Sequence, residues 1–65
     1  MRGKYVVKEV PPRWEGKVNI DDQIRIIDVY EMRTILEIKV LSGASSGMIF
    51  FIPTQEIKNR LERIG

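Results

Sequence analysis

QIRIIDVYEMRTILEIKVLSGASSGMIFFIPTQEIKNRLERI, residues 23 to 64, is the stretch whose reading decides the fold. Gln23 to Tyr30 is rich in β-branched residues and reads as a strand, but Ile24, Ile26 and Ile27 break strict alternation. Either both faces are covered there or a bulge shifts the register. Glu31-Met32-Arg33 connects it to a partner strand, Thr34 to Leu41, in a hairpin. On that strand Leu36, Ile38 and Val40 share one face, and Ile35, Glu37, Lys39 and Leu41 the other. Ser42 to Gly47 is a loop of small residues, without the Lys-Ser/Thr ending of a phosphate-binding P-loop. Met48 to Ile52 is an apolar strand stopped by Pro53. Thr54 is the expected N-cap of a helix, with Gln55 and Glu56 in its first turn. Ile57, Leu61 and Ile64 recur at i, i+4 and i+7 as its apolar stripe, and Glu56 and Arg60 form an i, i+4 pair.

Ahead of this stretch, Lys4 to Val10 reads as a strand ended by Pro11-Pro12, neither of which can continue a ladder. Arg13 to Gly16 is a loop, Lys17 to Ile20 a short extended piece, and Asp21-Asp22 a turn. The expected fold is therefore α+β, a four-stranded antiparallel sheet followed by one C-terminal helix (β-β-β-β-α), as a single domain over residues 1–65. The rival is an SH3-like small barrel of five short strands, which would instead be a protein-interaction module without nucleic-acid binding. Against it stands the three-turn apolar stripe in the last twelve residues, more helix than such barrels keep at their end.

A 65-residue chain of 7.6 kDa lies below the size at which one core gives comfortable stability. It has no Cys and no His, which removes disulfides and structural zinc as supports. Oligomerisation is then the expected route to stability. The missing Cys and His also leave no familiar nucleophile or base, so the chain is expected not to be an enzyme, with no cofactor, metal or small-molecule substrate. The start is charged and alternating, and the longest apolar run, Met48 to Ile52, is too short to cross a bilayer. The expectation is a soluble cytoplasmic protein.

The net charge of +2 binds no polyanion unless the charges are segregated on a surface. A sheet that sets Lys and Arg beside aromatic rings holds a single nucleic-acid strand through phosphate contacts and base stacking. Lys39, Arg25 and Arg33 are the expected phosphate contacts and Phe51 and Trp14 the stacking rings. Arg13 and Lys17, in the first loop beside Trp14, complete the candidate set.

Three stretches carry a family resemblance: Leu36-Glu37-Ile38-Lys39, Gly47 to Ile52 with Phe50 and Ile52, and Thr54-Gln55-Glu56-Ile57 with Leu61. Together they resemble the positive cofactor four family of transcriptional coactivators and its bacterial relatives. Met48 and Ile49 stand where that family has a Lys-Gly pair, and Ile57 stands where it has a buried aromatic. The resemblance implies a homodimer that binds single-stranded DNA on its sheets, with Lys39 on the DNA-facing side; RNA is the alternative ligand. It also implies a role in transcription or DNA maintenance.

Overall fold

The computed structural model describes residues 1–65. Its elements are β1 (Gly3–Val7), a 3-10 turn (Pro12–Trp14), β2 (Gln23–Tyr30), β3 (Ile35–Val40), β4 (Ile49–Pro53), α1 (Thr54–Ile57) and β5 (Leu61–Arg63). All neighbouring strands run antiparallel, in the order β4-β3-β2-β1-β5. The hairpin region follows the sequence pattern closely. β2 has the expected bounds, and β3 has the expected alternation, with Leu36, Ile38 and Val40 all fully buried.

The bulge at Ile27 accounts for the broken alternation of β2. Ile26 pairs with Ile38 but Asp28 pairs with Glu37, so Ile27 is the extra residue. Insertion of one residue reverses the parity of everything after it. Ile24 and Ile26 point inward before the bulge, and after it Val29 packs against the same core.

The C-terminal segment departs from the expected helix. Only Thr54 to Ile57 is helical, and Leu61 to Arg63 forms a fifth strand on β1, so the sheet has five strands and not four. One isolated turn fixes several dihedrals for a single hydrogen bond, so helix here has little to sustain it. Lys58 is already extended (φ −57, ψ 133) and Asn59 is left-handed (φ 65), a conformation that Asn tolerates better than most residues. The chain turns there onto the open edge of β1. Lys8 N–H donates to the Arg60 carbonyl (2.8 Å) and Ile64 N–H to the Lys4 carbonyl (2.8 Å), which brackets the β5 ladder. The apolar stripe is therefore split: Ile57 is buried, Leu61 packs against the core from β5, and Ile64 is exposed. Thr54 does not cap the helix, since its hydroxyl donates to the Arg33 carbonyl at 2.6 Å. Glu56 pairs with Arg13 and Arg60 with Glu9, in place of the i, i+4 pair.

β1 ends at Val7, earlier than the run to Val10 suggests, and Lys17 to Ile20 forms no strand. Val18 N–H instead turns back to the Trp14 carbonyl (3.1 Å), which carries the Val18 side chain into the core. The core is one cluster with members from β1 to β4, α1 and the first loop, so the sheet curls about it. Ser45 Oγ donates to the Lys17 carbonyl (2.6 Å) and ties the Gly/Ser loop to that first loop. Gly43 (φ 87) lies so close to the Asp22 carboxylate that a Cβ would collide with it.

Candidate nucleic-acid interface

The outer face of the sheet is ordered in rows by strand register. One row runs Lys4, Arg25, Lys39, Ile49 across β1, β2, β3 and β4. Adjacent strands lie about 4.8 Å apart, so the three cations stand side by side over roughly 10 Å. None of them is in an ion pair. The four ion pairs of the chain are Arg2–Asp28, Lys8–Glu62, Arg13–Glu56 and Arg60–Glu9.

The next rows are Asp28, Glu37, Phe51 and then Tyr30, Ile35, Pro53. Phe51 is 58% exposed and its ring lies 6.2 Å from that of Tyr30, tilted by 42°. Tyr30, Glu31, Ile35 and Phe51 line a shallow open depression. Both carboxylates nearby are engaged. Asp28 accepts from the Val29 N–H and from Arg2, contacts that hold its carboxyl below the ordinary aspartate range. Glu37 accepts from the Tyr30 hydroxyl at 2.6 Å, and that bond, aided by desolvation, raises the Tyr30 phenol above its usual value.

Arg33 sits at the tip of the β2–β3 hairpin, exposed and left-handed (φ 72), after Glu31 (φ 51) and Met32 (φ 57). Three consecutive non-glycine residues in this region are rare, and they push Met32 and Arg33 out into solvent. Arg33 shares a groove with Lys58, Gln55 and Thr54 beyond the Tyr30 row. Cations thus lie at both ends of the aromatic pair.

The expected set of seven is divided by the sheet. Arg25, Lys39 and Phe51 come together on the outer face, with Arg33 at its end. The first-loop residues fall elsewhere. Trp14 is 1% exposed, with its ring 6.0 Å from that of Phe50 on the inner side, so it is a core residue and cannot stack on a base. Its Nε1 has no hydrogen-bond partner, so the indole is held by packing alone. Arg13 grips Glu56 with two hydrogen bonds (Nε to Oε1 2.9 Å, Nη2 to Oε2 2.8 Å), fastening the loop to α1. The pair raises the Arg13 guanidinium and lowers the Glu56 carboxyl. Lys17 places its amine 5.8 Å from the centre of the Phe50 ring, a cation–π contact away from Phe51.

Lys4, Tyr30 and Ile49 belong to the outer face but were not among the expected residues. Lys4 enters through the register of β1 on β2, which no local pattern reveals. Tyr30 enters because the bulge reverses its parity; the three Ile residues at 24, 26 and 27 were the only signal.

Comparison with family models, with curated proteins and with solved structures returns no match for this chain. No helix is long and apolar enough to cross a membrane.

Proposed function

We propose that the chain is a single-stranded nucleic-acid-binding module working as a homodimer, built on a small SH3-like barrel whose outer sheet face takes the ligand. The strand order β4-β3-β2-β1-β5, with a single helical turn before the last strand, supports that barrel reading. The observation that carries the function is the row Lys4, Arg25, Lys39, which has no carboxylate partner and stands beside the exposed Phe51 and Tyr30. Phosphates bind the row, and bases stack on Phe51 and Tyr30, each stacked base contributing about 1–3 kcal/mol. Arg33 receives the strand beyond the aromatic pair. The ligand class is the one implied by the resemblance of the β3 and β4 stretches to positive cofactor four proteins, while the third stretch, ending in the strand residue Leu61, no longer supports it; a cytoplasmic role in transcription or DNA maintenance fits that ligand.

Fluorescence anisotropy of a labelled oligothymidylate across a salt series tests this reading. Three neutralised phosphates give a slope of log K against log salt near −2, at about −0.7 per phosphate. Arg25→Ala and Lys39→Ala should each flatten it by about 0.7. No binding at low salt rejects the proposal. A second reading, a protein-interaction module on the same barrel, draws on the apolar depression of Tyr30, Ile35 and Phe51. It predicts peptide binding that hardly changes with salt and survives loss of the three cations.

A further inference from the structure

The two edges of the sheet are treated differently. β5 is only three residues long and carries Glu62 and Arg63, and the Arg63 guanidinium donates to the Arg2 carbonyl at 2.8 Å. Short length and charge blunt an edge against further pairing. β4 presents the opposite character. Val40 N–H donates to the Met48 carbonyl and Thr54 N–H to the Thr34 carbonyl, so Phe50 and Ile52, of the same parity, bond to β3. In an antiparallel ladder the alternate residues direct their N–H and C=O groups the other way. Ile49 and Phe51 therefore offer their backbone groups to the open side, and no other strand covers them. The exposed apolar side chains gather along the same edge: Met48 (53%), Ile49 (46%) and Phe51 (58%). Pro53 at the far end is the sole blunting device.

We infer that β4 pairs antiparallel with β4 of a second copy about a two-fold axis at Phe50, joining two sheets into one and completing the nucleic-acid site across the junction. In this register Ile49 faces the partner's Phe51, and the two residues exchange both backbone hydrogen bonds; symmetry repeats the exchange. The rows then join as Lys4, Arg25, Lys39, Ile49, followed by the partner's Phe51, Glu37 and Asp28. Each cationic row runs through an apolar pair into the partner's acidic row, and the two cationic rows stay apart. A slip of two residues either way, setting Phe51 against Phe51 or Ile49 against Ile49, would instead place the two Glu37 or the two Lys39 residues in one row. The charge pattern thus selects one self-complementary register.

The edge pairing stands without a ligand, whereas the composite site rests on the nucleic-acid reading of the outer face. Sedimentation equilibrium of the whole chain should give twice 7.6 kDa at micromolar concentration. A synthetic chain N-methylated at Phe51 keeps every side chain and every β3–β4 hydrogen bond, and should sediment as a monomer with an unchanged circular-dichroism spectrum. Ile49→Lys should do the same. A wild-type monomer throughout, an assembly larger than two, or a dimer indifferent to the Phe51 methyl group each overturns the pairing. For the composite site, Phe51→Ala chains are mixed with chains carrying Lys4→Ala, Arg25→Ala and Lys39→Ala. The mixture should bind oligothymidylate more tightly than either component alone, because each heterodimer holds one intact row. No gain on mixing overturns the composite site. A dimer that binds no oligonucleotide at all rejects the nucleic-acid reading and leaves the edge pairing in place.

Discussion

Phe50 and Phe51 are neighbours in the chain with opposite surroundings. Phe50 packs against the core, with Trp14 at 6.0 Å and the Lys17 amine at 5.8 Å. Phe51 stands 58% exposed among Tyr30, Glu37 and Ile35 on the other face. The alternation of a strand makes the division, and every row of the sheet repeats it. Residues behind the sheet hold the fold, while residues in front of it are free to serve a ligand. Arg13 and Trp14 lie among the fold-holding residues despite having the composition of a binding loop.

The strongest way to break this comparison is at Trp14. Trp14→Ala should cost about 3–5 kcal/mol, comparable to the whole stability of a domain this small, and leave the chain unfolded by circular dichroism. Trp14→Phe should cost much less in a urea melt, because the indole Nε1 has no hydrogen bond to lose. An exposed base-stacking Trp14 would show the reverse, with full stability and weakened oligonucleotide binding.

The two phenylalanines sharpen it next. Phe50→Ala should lower stability by about 2 kcal/mol in urea, through lost packing on the core. Phe51→Ala, compared at a concentration where both chains are monomeric, should stay within about 0.5 kcal/mol of wild type, as exposed changes do, while weakening binding. Equal stability losses at the two positions would contradict the division of faces.

The smallest effect concerns acid. Arg13 holds the Glu56 carboxyl below its unfolded value, and a depressed carboxylate contributes stability above its unfolded pKa that is lost as pH falls through its folded one. Arg13→Gln should make the fall of Tm with acidification shallower in that window, with the two curves meeting at still lower pH. Asp28, held down by the Val29 N–H and by Arg2, acts in the same direction, so part of the slope should remain. Parallel curves for Arg13→Gln and wild type would show that the loop-to-helix tie contributes nothing.

Legibility in the sequence followed contact distance along the chain. The β2–β3–β4 meander could be read because β3 alternates strictly, β2 and β4 are short β-branched or apolar runs, and the small residues Ser42 to Gly47 mark the loop between β3 and β4. Half of the site came with it, since Lys39, Arg25 and Phe51 share a face by parity and pairing of adjacent strands. The end of the chain misled for a definite reason. Ile57, Leu61 and Ile64 fit a helical period, yet Leu61 also satisfies an inward strand position. The vacant edge of β1 decided between the two states by supplying hydrogen bonds that a lone helical turn could not match. Trp14 misled because flanking charges at Arg13 and Glu15 say nothing about where a large ring is packed.

Local pattern in the sequence determined the antiparallel hairpins and the inward residues of β3, because strand period acts over a few residues. Only the tertiary structure decided the Ile27 bulge, the fifth strand, the burial of Trp14 and the placement of Lys4 beside Arg25 and Lys39. Each of these depends on a partner far away in sequence, and the backbone hydrogen bonds and apolar burial that select it exist only once the sheet has formed.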